Sequence, residues 1–252
     1  MRAWVLVAGL TGALPSIAAS PQSRPLPDPE PFYAATRANV ARAQAAQNRF
    51  AYRERRTELH LNPFGRLGSG GILVYDVTPI ADGSVERRLV ERDGRAVTDA
   101  PVDRRPPRTP PAADRRSNVD DVVSVLRFSI RHREVRDGRD VVAVGFEPKP
   151  GAEPATRQGE LARHFKGTIF VDEAAHEVMR VEATAIEDLT YGMGLVARLE
   201  KGTTVTVSRQ RIEPDLWMPT SIRFIGHGRA LLLRPFEIDQ VIEWSDYRRV
   251  VR

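Results

Sequence analysis

The residues able to do chemistry are few and scattered. The histidines are His60, His132, His164, His176 and His227, and no two stand three to five positions apart. A helix-borne metal pair needs that spacing to put two imidazoles on one face, so no metal is expected and lone histidines on strands read as structural or exposed. There is no cysteine, which excludes a thiol nucleophile, disulfides, thiolate-bound zinc, iron–sulfur clusters and a lipid-modified N-terminal cysteine. Carboxylates come in neighbouring doublets, Asp120-Asp121, Asp172-Glu173 and Glu187-Asp188. Neighbours on a strand point to opposite faces and make poor acid–base pairs, and the first doublet, near a helix start, fits the helix dipole. Residues 65–71 (GRLGSGG) lack the Gly-Lys-Ser/Thr of a phosphate loop and sit between strands, where they read as a flexible turn. Leu67 stands where a nucleophile elbow around Ser69 would need glycine. No catalytic constellation and no cofactor site emerges. An enzyme is the third reading, since it needs a polar cluster that only the fold could assemble.

The elements that would position any site follow from composition and pattern. The chain has 252 residues, 41% of them hydrophobic, and a net charge of +5. That excludes a fully disordered chain and allows one large core, because all-β domains often pass 200 residues undivided. All but three of the 38 basic residues are arginine. They are interleaved with acids, as in Arg53-Glu54-Arg55-Arg56 and Glu86-Arg87-Arg88, which fits solvated strand faces better than a nucleic-acid surface. No nucleic-acid partner is expected.

The N-terminus reads as a secretory signal. Arg2 supplies the positive start, residues 4–14 an apolar run too short to span a bilayer, and Ser16-Ile17-Ala18 a cleavage site after Ala18, with Ala19 as the alternative. Export without cysteine suggests a periplasm, and a soluble, unanchored monomer is expected there. Residues 19–31 form a Pro-rich leader, and residues 32–252 are expected to make one half-barrel domain.

Within it, Asp28 can cap a helix over residues 32–47 whose stripe is Phe32, Ala35, Val40 and Ala43. Alternating segments follow, with Asp82-Gly83, Asp93-Gly94 and Asp137-Gly138 as hairpin turns. Residues 101–116 (PVDRRPPRTPPAADRR) are basic and Pro-rich and read as an exposed loop, before a second helix near residues 119–127 that Ser117 could cap. The rest is a meander, in which residues 230–238 and 240–244 read as separate strands and Met179, Val181, Ala183 and Ala185 share one face. The fold class is therefore mainly β (α+β): a large curved antiparallel sheet, an unclosed barrel of about 10–11 strands with two or three covering helices.

Residues 167–185 (GTIFVDEAAHEVMRVEATA) run Gly-x-apolar-aromatic-apolar-Asp, a turn, then apolar-x-Arg-x-Glu. This resembles a hairpin of the superfamily of LolA, LolB and RseB, the outer-membrane lipoprotein-sorting and sigma-factor-regulatory proteins. Residues 212–224 (IEPDLWMPTSIRF) resemble the family's next hairpin. The resemblance implies an unclosed barrel with a helical lid over an apolar cavity that holds acyl chains or senses lipidic signals. It also implies a lid-closing arginine on the first strand, for which Arg53, Arg55 and Arg56 compete. The long loop at 101–116 departs from the compact carrier.

The first functional reading is a periplasmic, non-enzymatic carrier or sensor of a lipid or acylated peptide. Its ligand wall is expected at Leu73, Tyr75, Phe170, Val181 and Trp217, and its lid helices would move to admit the ligand. The alternative is an envelope interaction module with a filled core. There Arg104, Arg105, Arg108, Arg115 and Arg116 would meet a membrane-protein partner or acidic head groups.

Overall fold

The computed structural model describes residues 24–61, 67–80, 84–105, 118–191, 197–230 and 234–250. The signal segment, Asp82-Gly83, Ser117 and most of the 101–116 stretch lie outside these residues. The first helix, α1 (Pro29–Ala46), begins where the sequence signals place it. Asp28 is its N-cap, its carboxylate accepting from the Glu30 N–H at 3.3 Å, and Pro29 occupies the first turn, where a missing N–H costs nothing. Phe32 and Ala43 are its buried positions, two points on the expected stripe.

The strands are β1 (Phe50–Leu61), β2 (Leu67–Pro79), β3 (Val85–Arg92), β4 (Arg95–Ala96), β5 (Val102–Arg105), β6 (Leu126–Arg136), β7 (Arg139–Pro148), β8 (Phe165–Asp172), β9 (Glu177–Ala185), β10 (Leu189–Tyr191), β11 (Ala197–Leu199), β12 (Thr204–Glu213), β13 (Leu216–Ala230) and β14 (Arg234–Arg249). They form one fourteen-stranded antiparallel sheet. Its continuous path is β4-β3-β2-β1-β14-β13-β12-β9-β8-β7-β6, with β5, β10 and β11 attached to its sides. Among the described residues the two ends of that path do not pair, and the barrel is open. Two further helices are present, α2 (Asn118–Val125) and α3 (Arg157–Ala162).

Several expectations change. The Gly-rich residues from Leu67 onward are strand, because β1 continues across from them: Leu61 pairs with Leu67 and Leu59 with Ser69. The first part of the Pro-rich stretch also pairs, Val102 to Arg105 running along β3. Residues 102–105 lie between Pro101 and Pro106, so every backbone donor the ladder needs is present. The last strand is single, since Ile238, Asp239 and Gln240 all stay in register with β13. Helix α3 carries no apolar stripe to announce it; Thr156 caps it by accepting from the Gly159 N–H at 3.1 Å.

Turn chemistry is where the sequence signals suggest. Asp93 and Asp137 have φ of 51° and 49°, followed by Gly94 and Gly138 at 77° and 71°. Both dipeptides thus supply the paired left-handed residues of a tight hairpin.

The sheet has a helix-covered face and an outer face. On the covered face, Phe32 of α1 packs with Val142, Val144, Val171 and Val178. Leu126 and Phe146 pack with Val125 of α2. Ala43 of α1 packs with Phe50, Leu216 and Met218.

Asp121 lies in the first turn of α2, where the helix dipole favours an acid. It is also fully buried, and its carboxylate accepts from the N–H groups of Ala155 and Thr156 and from the Thr156 hydroxyl at 2.7–2.9 Å. A Cβ on Gly159 would run into that carboxylate, so glycine there lets α3 lie against α2.

Candidate functional site

Between α1, α2 and the sheet lies a cavity of about 660 Å³, inside the ~300–1,000 Å³ span usual for small-molecule sites. Its floor comes from neighbouring strands: Phe128 of β6, Val144 of β7, Ile169 and Val171 of β8, and Val178 and Val181 of β9. Its roof is α1, through Phe32, Tyr33, Val40 and Ala43, with Val119, Val122 and Val123 of α2 closing one side. β-Branched valines tile the floor because they pack well on a pleated surface.

Polar contacts fasten the roof. The Arg37 guanidinium donates to Asp120 of α2 at 2.8 Å. The Asn39 amide donates to the carbonyls of Ala175 and His176 at 2.9 and 3.0 Å. The Phe32 ring leans on His176 and the Tyr33 ring on Phe128, with centroids 5.4 and 6.0 Å apart. Burial pushes the Tyr33 phenol above its ordinary pKa.

One charge borders the floor. The Arg209 side chain is 9% exposed, and its guanidinium donates to the carbonyls of Val178 and Trp217 at 3.2 and 2.7 Å. Glu177, 3% exposed, lies 3.5 Å from Arg209 and 3.6 Å from Arg42 of α1. Both of its oxygens are buried without a well-formed hydrogen bond among the described residues. Burial raises the Glu177 carboxyl pKa against the pull of the two arginines, and burial likewise lowers the Arg209 pKa. Beside them the Tyr247 hydroxyl donates to the Pro219 carbonyl at 2.6 Å, its pKa raised by burial.

The five residues expected to form one wall do not come together. Val181 lines the cavity. Phe170 stands between Ile169 and Val171, which both line it, so it points to the outer face, where the Arg136 guanidinium lies 3.5 Å from its ring centre. Trp217 stands between Leu216 and Met218, which both pack under α1, so it too points outward, with Arg139 5.7 Å from its ring. Leu73 and Tyr75 lie on the covered face, at its far end.

There, alternation from Phe50 places Tyr52, Glu54 and Arg56 opposite Val77, Tyr75 and Leu73. Tyr75 sits between Arg87 and Arg56, 4.1 and 5.2 Å from its ring centre. Arg87 pairs with Glu54, which also accepts from the Trp244 indole N–H at 3.3 Å. Of the three arginines competing on the first strand, Arg56 alone is on the covered face. Arg53 pairs with Asp76 and Arg55 with Glu243 on the other side, at 3.0 and 2.7 Å.

A bulge explains a further correction. Phe170 pairs with Arg180, but Val171 pairs with Val178, so Met179 is the extra residue. It leaves the face of Val181 and packs outward on Phe170, Val141 and Ala143.

Of the expected partner-binding arginines, Arg104 is exposed on β5 and donates to Glu86 at 2.7 Å. Arg105 lies on the same strand, and Arg108, Arg115 and Arg116 lie outside the described residues. Among the described residues, no group of three or more histidines, acids or cysteines is arranged to hold a metal ion. No described helix is long and apolar enough to cross a membrane.

No family model and no curated protein matches the chain. Solved structures to which the chain is similar include a DUF1329 family protein from Desulfovibrio piger, 17% identical, covering 88% of this chain and 94% of that one at a TM-score of 0.36. A LolA superfamily protein from Nitrosomonas europaea is 10% identical over 86% and 94%, with a TM-score of 0.39. An outer membrane lipoprotein-sorting protein domain from Vibrio parahaemolyticus is 13% identical over 84% and 91%, with a TM-score of 0.35. Superpositions this loose say nothing about ligand or partner. The unclosed, helix-covered half-barrel is established by the chain's own sheet order and core.

Proposed function

We propose that this chain is a periplasmic, non-enzymatic carrier or sensor that holds a lipid-like acyl ligand between its sheet and its helices. The observation that carries the reading is the 660 Å³ cavity beneath α1, floored by valine, isoleucine and phenylalanine side chains. Each methylene moved from water into such a site contributes about 0.8 kcal/mol, so a single long acyl chain suffices for useful affinity. Arg37–Asp120, Arg42–Glu177 and the two Asn39 hydrogen bonds fasten the roof through α1 side chains that are exposed or half-buried, which suits a roof that opens to admit a ligand. The interaction-module alternative draws on β5, an edge strand whose Arg104 is exposed and which leads into the remaining basic residues.

The test is native mass spectrometry of the protein purified from a periplasm, together with titration of a fluorescent polyene fatty acid into delipidated protein. A bound mass or saturable fluorescence is expected. Val181→Trp, which fills the floor, is expected to weaken binding at least ~10-fold while leaving the circular dichroism spectrum unchanged. Uptake that Val181→Trp leaves intact would place the ligand elsewhere, and no uptake at all would end the carrier reading.

A further inference from the structure

The cavity is apolar except at its rim, at the half-buried Tyr33 and Thr36 of its roof, where the Thr36 hydroxyl is spent on the Phe32 carbonyl, and at one point of its floor. Among its polar lining residues, Glu30, Arg37, Gln44, Gln47 and Gln158 are exposed. They reach water and ask nothing of a ligand. Arg209 differs, because it lines the cavity while its side chain is only 9% exposed. A guanidinium has five N–H donors. Two hydrogen bonds to backbone carbonyls hold this one in place, and Glu177 at 3.5 Å lies beyond good hydrogen-bond reach.

The charges near Arg209 leave room for one more anion. Arg42 of α1 and Arg209 of β12 share the single carboxylate of Glu177. Asp172, next along the pairing, is already held by Arg139 at 2.7 Å. Tyr247 is kept neutral. A buried arginine, positioned and incompletely neutralised on the wall of an apolar cavity, is a polar anchor for the head of whatever fills it.

Resting on the carrier reading, we propose that Arg209 selects the ligand's head group: an acyl chain ending in an ionised carboxylate, with a guanidinium N–H donating to its oxygen. A neutral ester would keep the apolar contacts and lose the charge-assisted bond. That bond is worth roughly tenfold or more in affinity.

The experiment compares a fluorescent polyene fatty acid with its methyl ester at pH 7.5, on the full exported chain. Arg209→Met alone would strand Glu177 as a buried charge, so the informative variant is the double substitution Arg209→Gln/Glu177→Gln, with Arg209→Lys beside it. The wild type is expected to prefer the acid over the ester by about tenfold or more. The double variant should bind both equally, at the wild-type ester affinity, and Arg209→Lys should keep part of the preference. A wild type that takes the ester as well as the acid overturns the anchor and leaves the carrier reading standing. So does a preference that survives the double substitution. A wild type that takes neither probe ends both.

Discussion

The helix-covered face has two halves built on different chemistry. Beneath α1 and α2, strands β6 to β9 present valine, isoleucine and phenylalanine to a cavity, and the buried Arg209 of β12 lies at its border. At the other end, β1, β2, β3 and β14 present Glu54, Arg56, Tyr75, Arg87 and Trp244, closed on one another by an ion pair, an indole hydrogen bond and two guanidinium–ring stacks. The first half leaves its apolar surface available to a guest. The second turns most of its polar groups on one another, which rigidifies a sheet. Tyr75 and Leu73 therefore share a face with Val181 without sharing its cavity.

The comparison breaks most visibly at Arg87, whose side chain is 7% exposed. Arg87→Met strips Glu54 of its buried counter-charge and Tyr75 of its stacking partner. It should cost about 3 kcal/mol in urea unfolding, the scale of a broken buried pair, while fatty-acid affinity stays at the wild-type value. A loss of binding equal to that of Val181→Trp would mean that the two halves form one site.

The cavity half is sharpened by Glu177. Burial raises its folded pKa above the ordinary 4.5, so the folded state holds the proton more tightly than the unfolded state. Wild-type stability relative to Glu177→Gln should therefore rise as pH falls from the folded pKa toward about 4.5, and the penalty is complete above the folded pKa. Glu173 behaves oppositely. Its hydrogen bonds from Arg133 hold its pKa down, so its contribution is present above the ordinary value and is lost on further acidification. Urea titrations of Glu177→Gln and Glu173→Gln from about pH 2.5 to 7.5, the first read above the ordinary value and the second below it, give the two signs directly. Parallel slopes would show that Glu177 is as well solvated as a surface acid.

The smallest effect belongs to the outer face. Arg55 and Glu243 make the same kind of pair at 2.7 Å, both about half exposed. Arg55→Ala should change stability by about 0.5 kcal/mol or less. Set beside Arg87→Met in the same urea series, it isolates what burial adds to identical chemistry.

Much of this architecture is legible in the chain. The Asp-Gly dipeptides, the Asp28 cap and the period-two segments each have a local cause, and local causes survive translation into a fold. The cavity wall is less legible for a definite reason. Facing depends on strand parity, and one extra residue at Met179 reverses it for everything beyond. Phe170 and Trp217 look like cavity aromatics from their size, yet Arg136 and Arg139 cover them on the outer face, as long arginine stems can. Arg209 is not legible in the sequence because nothing local distinguishes it from Arg211. The signal that could have found it is its place two residues beyond Val207 on the alternating face.

By itself, then, the sequence determined that the protein is a cysteine-free, mainly β chain with an amphipathic first helix and Asp-Gly hairpins. Propensity, capping and turn conformation act within a few residues. Only the tertiary structure decided which apolar side chains meet beneath that helix, that Asp121 ties α2 to α3, and that Arg209 and Glu177 are buried together. Those outcomes depend on strand register, bulges and the splay of strands far apart in sequence, where the energy of each contact comes from partners the local sequence does not contain.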